Sequence, residues 1–241
     1  MDSIGFVCDP DHPLLRPVAE RLVARGFEVT FHRPTDPVAP SDVDALSALV
    51  AGEHHPTALA ALRYADANAV QTWNGFSATV ALSARLVTLA ALDAVGSRVP
   101  EVRFDGPTEG YEPGRRYAWE GPATLEASAP FYVQQVGTEP VDHRYYAVDD
   151  GRETHMRAVE VRTEPADDDA VLQRTDVDVS MAASVRELLD RFGARAVAVD
   201  FTRGEDGEFY AVRATPTPTF TGAEMDRRVA DSIASLTTIG A

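Results

Sequence analysis

Apolar and polar positions follow two different periods along this chain, and the switch between them marks out the elements. Leu15, Val18, Ala19, Leu22 and Val23 recur at helical spacing within 12–26, with Gly26 as the stop. The flanking runs "SIGFVCD" (3–9) and "FEVTFHR" (27–33) read as strands, as do "VDALSALV" (43–50) and "AVQTW" (69–73). "PTALAALRYADA" (56–67) reads as a helix, and "PTDPVAPSD" (34–42) as a Pro-rich connection. This β-α-β-α-β order predicts a small parallel sheet with helices on its faces.

The pattern then changes. Residues 76–95 are apolar on most of the circumference and predict one long helix, ended by Gly96, which Asn74 and Gly75 are placed to cap. "VPEVRF" reads as a strand behind a proline, and 105–114 as a loop. Alternation over 115–119, 131–136, 143–150 and 153–164 predicts antiparallel strands with short turns. "PADDDA" is an acidic loop, and 181–193 is a helix capped by Ser180 with Gly193 at its end. "ARAVAVDFT" and "EFYAVRAT" read as two core strands around an "EDGE" turn, before a last helix over 222–236.

Composition narrows the function classes. The 241 residues allow one large or two smaller domains, and 44% hydrophobic content is enough for a core. No apolar run reaches the length of a membrane span, and "MDSIGFVCDP" lacks the basic and apolar regions of a signal peptide. The expectation is a cytoplasmic protein. Cys8 is the single cysteine, which excludes an internal disulfide; its apolar surroundings predict a buried structural thiol. The net charge is -16, and all 22 basic residues are arginine. An acidic, lysine-free surface suits a high-salt cytoplasm and points to a halophilic source. It argues against nucleic acid, whose phosphates want a basic face. Without lysine there is no Schiff base and no lysine on a phosphate, so anion contacts fall to arginine, backbone N–H groups or a metal.

Four patches in order carry a resemblance. They are "WNGFSATVALSARLVTLAALDAVGSRVPEV", "FYVQQVGTEPVDHRYYAV", "THMRAV" and "AVAVDFTRGEDGEFYAVRATPTPTFTGAE". Their order and spacing resemble the ATP-grasp superfamily, and within it the RimK-type carboxylate–amine ligases. The resemblance implies an α/β N-terminal pre-ATP-grasp-like domain (1–73) and an α+β ATP-grasp-like region with an antiparallel sheet (74–241). Its lid lobe, about 97–135, is shortened, since only 26 residues (105–130) separate "VPEVRF" from "FYVQQV". It further implies ATP held between two lobes, Mg²⁺, and a ligase reaction through an acyl-phosphate that an amine attacks. Implied partners are a small-molecule nucleotide, with a protein partner or a second copy of the chain if the protein acts as a scaffold.

Carried over by position, Arg85 stands at the first phosphate lysine and Arg116 nearest the second. Gln134 and Gln135 stand at the adenine hinge, with Gln135 in place of the usual Glu. Arg144 and Arg157 match arginines near the phosphates, and Asp200 matches the first metal acid. Arg213 and Thr215 replace the metal Glu and Asn, so a cation stands where a dication is expected. Two Mg²⁺ ions need several oxygen ligands, and Asp200 alone cannot supply them. Arg213 could instead clamp phosphate. The resemblance therefore implies a kept fold with a degenerate metal site, either as a diverged ligase or as a non-catalytic binder of nucleotide, anion or partner.

Each position also has a structural reading. Asp200 is expected to pair with Arg213 across two strands, in preference to binding a metal. Arg144 and Arg157 are as well explained by pairing with Glu153 or Glu160. Arg85, in an apolar helix, needs a partner. His54 and His55 are adjacent, do not face one another on a helix, and read as surface. "DHP" (11–13) follows the first strand and could line a cleft at the carboxyl end of the sheet. Trp73, Tyr117 and Trp119 read as core.

Overall fold

The computed structural model describes residues 2–103, 116–120, 131–136, 141–162 and 170–238. The first seventy residues form the expected alternation: β1 (Ser3–Val7), α1 (Leu15–Ala24), β2 (Glu28–His32), α2 (Pro40–Asp44), β3 (Ala48–Ala51), α3 (Pro56–Ala67) and β4 (Gln71–Thr72). The strands are parallel, in the order β2-β1-β3-β4. The strand expected over 43–50 is confined to β3, because Pro40 opens a short helix ahead of it. Beyond α1, Gly26 adopts φ 91°, which closes the turn into β2 at no steric cost.

The single helix expected over 76–95 is two, α4 (Phe76–Ser83) and α5 (Arg85–Ala94), bent by 94°. Ala84 is extended at φ -88°, ψ 102°, which breaks the carbonyl ladder. Buried Thr88 compensates, with its hydroxyl 3.1 Å from the carbonyls of both Leu82 and Ala84. The break puts Arg85 at the first position of α5 instead of inside a continuous apolar helix. No single helix among the described residues is long and apolar enough to cross a membrane, and the bent pair buries Leu82, Leu89 and Leu92.

Two antiparallel sheets follow. β5 (Val102–Arg103), β6 (Arg116–Glu120) and β7 (Phe131–Gln135) form a three-stranded sheet in the order β5-β7-β6. β8 (Val141–Asp149), β9 (Thr154–Arg162), β10 (Ala170–Thr175), β11 (Ala196–Arg203) and β12 (Phe209–Thr215) form a five-stranded sheet ordered β10-β9-β8-β11-β12. The strand β10 was not expected. Most of the expected lid, 104–115 and 121–130, lies outside the described residues.

Core packs on both faces of the five-stranded sheet, which is why β11 is buried at every position from Ala196 to Thr202 without alternation. On one face Tyr146, Val148, Ala196 and Ala198 pack against Phe6, Leu22 and α7 (Asp226–Thr238), through Val229 and Ile233. This core joins residues from both sides of position 73. On the other face Tyr145, Val197 and Val199 meet Leu82, Leu92 and α6 (Val179–Phe192), through Val185 and Leu188. The N-cap of α6 is Asp178, not Ser180. Its carboxylate accepts from the N–H groups of Ser180 and Met181, and Gly193 ends the helix at φ 59°. Asp178→Ala is expected to cost about 1 kcal/mol, read from the denaturation midpoint.

Trp73 is buried, as expected, and its indole N–H donates to Ser232 Oγ at 3.0 Å. The side chains of Tyr117 and Trp119 lie outside the described residues.

Candidate functional site

Strand period and register bring the chemistry-bearing residues to one face. Asp200 pairs directly with Arg144 on β8 and with Arg213 on β12, and Thr215 sits opposite Ala198. All of these share the face that carries Tyr146 and Ala198 toward the N-terminal sheet.

The expected Asp200–Arg213 ion pair does not form. Asp200 is held by Arg144, whose Nε donates to Oδ1 at 2.6 Å and Nη2 to Oδ2 at 3.0 Å. The two side chains are 6% and 14% exposed, so this is a forked pair largely out of water. A register shift between Asp200 and Phe201 distorts the ladder on the β12 side, whereas the β8 side runs in regular register. That regularity favours Arg144 as the partner. The pairing of Arg144 with Glu153 or Glu160 is likewise replaced: Glu160 accepts from Gln173, and Glu153 lies near His155.

Arg213 is exposed and turns to a pocket of about 410 Å³, lined also by His54, Ser83, Arg85, Thr215 and Thr217. Each wall has a local cause. The α4–α5 break presents Ser83 and Arg85 side by side, and the loop between β3 and α3 presents His54. Beyond β12 the chain is fixed by Asn74, a buried amide. Its Nδ2 donates to the carbonyls of Ala196 (2.9 Å) and Pro216 (2.5 Å), and its Oδ1 accepts from the N–H groups of Arg195 (2.7 Å) and Ala196 (3.1 Å). The cap of α4 falls instead to Gly75, and Phe76 N–H donates to Asp66 Oδ2.

The pocket is cationic in a strongly acidic chain. Burial, then the neighbouring Arg213 guanidinium, lowers the pKa of Arg85. Partial desolvation of the ring, then Arg213, holds His54 below the ordinary imidazole value. His54 Nε2 lies 3.2 Å from Thr217 Oγ1. As expected His54 is on the surface, but its place in the pocket was missed. The available signal was its position just past the carboxyl end of a parallel strand. His55 is the N-cap of α3.

Not every anticipated residue joins this pocket. Arg157 is exposed on β9, where its Nη1 donates to Met156 O, and it is not among the pocket's lining residues. Arg116 faces Gln135, and Tyr117 faces Gln134, in the β6–β7 ladder; the side chains of Arg116, Gln134 and Gln135 lie outside the described residues. His12 closes the start of α1, its Nδ1 3.2 Å from the N–H groups of Leu14 and Leu15. Cys8 is buried as expected; burial, then Glu53 and Asp9, pushes its thiol up to about 12, so it is inert at neutral pH.

Burial also lowers His12 from the ordinary 6.5. With both His12 and His54 depressed, the unfolded chain binds the more protons below that value, so their stabilisation is present above 6.5 and lost as pH falls. The melting temperature is expected to drop on acidification through the imidazole range, and His12→Gln to flatten that drop.

The Mg²⁺ that the sequence resemblance implies would fall at Asp200. Both Asp200 oxygens accept from Arg144, and the cross-strand position facing Asp200 carries Arg213. A divalent cation there would sit beside guanidinium groups and lack oxygen donors, so this donor set does not fit one. Elsewhere, donor atoms of Asp150, Glu153 and His155 lie within 4.8 Å of one another in the β8–β9 turn. Their contacts close the turn. Burial would raise the Asp150 carboxyl, but hydrogen bonds from His155 and from the N–H groups of Glu153 and Arg152 outweigh it and bring it down to about 2. His155→Ala should move Asp150 back toward the ordinary carboxylate range, visible in an NMR titration.

No family model matches the chain, and no curated protein matches it. Solved structures do. The chain is similar to the ATP-grasp ligase PsnB complexed with a minimal precursor, at 17% identity and TM-score 0.74, over 98% of this chain and 99% of that one. It is similar to the macrocyclase MdnC of Microcystis aeruginosa MRC bound with its precursor peptide MdnA, at 10% identity and TM-score 0.68, over 97% and 99%. It is also similar to N5-carboxyaminoimidazole synthetase of Staphylococcus aureus, at 10% identity and TM-score 0.73, over 98% and 77%.

Proposed function

With the ATP-grasp fold as premise, we propose that this protein binds ATP and belongs by function to the ATP-dependent carboxylate–amine ligases, in their RimK type, with residues 1–73 as its N-terminal unit. The observation that carries the reading is the convergence of Arg85, Arg213 and His54 on one pocket within that fold. Two guanidinium groups suit the phosphates of a nucleotide, which lysines cannot serve in this chain. Arg116, Gln134 and Gln135, on neighbouring strands of the three-stranded sheet, remain the proposed second phosphate contact and adenine hinge. PsnB has been solved with Mg and ADP.

A second reading has its own support. The Arg144–Asp200 fork occupies the acid that a ligase of this class would give to magnesium. In that reading the chain binds nucleotide or another anion without turnover and acts as a scaffold, with a protein partner or a second copy of itself.

ADP release from ATP, with Mg²⁺ and mixed amino acids in molar KCl, separates the two. Sustained release supports the ligase; binding without release supports the scaffold. Arg85→Ala is expected to weaken ATP binding by about tenfold or more, the worth of one charge-assisted phosphate contact. Unchanged affinity would remove Arg85 from the site.

A further inference from the structure

We propose that the His54–Arg85–Arg213 pocket binds the phosphate dianion of a small molecule without any divalent cation. The inference deepens the nucleotide reading and rests on it only for the expectation that a cation would stand at this place.

Three observations converge. First, the pocket draws an imidazole and two guanidinium groups from three separate stretches of chain: the loop after β3, the start of α5 and the end of β12. Burial and then Arg213 lower the pKa of both Arg85 and His54, so the Arg213 charge reaches both groups, and an anion bound beside it offsets that charge. Second, Ser83 and Arg85 flank the N-terminus of α5, a ten-residue helix whose N-cap Ala84 offers no side-chain cap. The break at Ala84 therefore brings a serine hydroxyl and a guanidinium to the same pocket wall. Third, the Asp200 carboxylate, which shares this face of the sheet, is occupied by Arg144.

Charge selects the ligand class. A single arginine fork satisfies a carboxylate, whereas two guanidinium groups with an imidazole beside them suit a dianion. The hydroxyls of Thr215 and Thr217 add donors suited to a tetrahedral oxyanion. The volume, about 410 Å³, leaves room for a small organic group beside the phosphate. Arg213 thus acts in place of a metal: its fixed charge meets the anion directly, and chelators have nothing to remove.

The test is calorimetric titration of the full chain with inorganic phosphate and with acetate, each with excess EDTA and with Mg²⁺, alongside Arg213→Glu. Arg213 is exposed, so the variant is expected to fold; its circular dichroism checks this. Phosphate should bind equally in EDTA and in Mg²⁺, and acetate more weakly. Arg213→Glu should lower phosphate affinity by about 100-fold, the scale for setting a like charge against a bound anion. A requirement for Mg²⁺, equal binding of acetate, or unchanged affinity in Arg213→Glu would overturn the proposal. An ATP arm keeps the two readings apart. Phosphate binding without ATP binding supports this inference and removes the nucleotide reading; ATP binding with no phosphate binding in EDTA does the reverse.

Discussion

Arg144→Ala is expected to destabilise the protein by about 3–5 kcal/mol, the range for stripping one partner from a buried ion pair. The physical reason lies at Asp200. Its side chain is 6% exposed, and both its oxygens accept from the Arg144 guanidinium. Removing Arg144 leaves a carboxylate out of water in the middle of the five-stranded sheet, two residues from buried Ala198. Chemical denaturation in molar KCl measures the loss. The double replacement Arg144→Met, Asp200→Leu should recover most of it, because apolar residues can take the place of a buried pair at little net cost. A loss below about 1 kcal/mol in Arg144→Ala would mean that Asp200 has another cation to rely on, and the structural reading of Asp200 would fail.

Asn74→Ala is expected to cost a similar amount, about 3–5 kcal/mol, since each buried backbone group that loses its partner costs about 1–3 kcal/mol. Asn74 is 5% exposed and serves two N–H groups and two carbonyls, on Arg195, Ala196 and Pro216. It ties the start of α4 to the first residues of β11 and to the chain leaving β12. Pro216 lies on the wall of the cationic pocket, so the loss should reach the site as well. Thermal melting should show the drop, and phosphate titration of the folded variant should show weaker binding. Unchanged melting would mean that water replaces the amide.

The elements were legible wherever the apolar period was long and its ends were marked. The α3 helix runs over the expected 56–67, and the parallel order of the N-terminal sheet follows from the β-α alternation. The α4–α5 break was not legible, because Ala84 has no helix-breaking character. What stabilises the break is the hydroxyl of Thr88, four residues on, meeting carbonyls that the sequence pattern treats as helical. Ser180 and Asp178 are both good caps two residues apart, and only the fold decides between them. The site was half legible. Period two places Arg144, Asp200 and Arg213 on one face, but it does not say which arginine closes on the carboxylate. That choice follows from the register shift beside Asp200, a property of strand pairing and not of any single strand. His54 was hidden for a related reason: its neighbours in the pocket, Arg85 and Arg213, are far from it in sequence.

The proposed anion site stands or falls on whether Arg213 takes the place of a cation. Calorimetric titration with ATP in molar KCl, once with Mg²⁺ and once with excess EDTA, tests it most directly. Binding of equal affinity is expected in both. Binding that appears only with Mg²⁺ would contradict it, because Asp200 would then have to leave Arg144 to hold a metal.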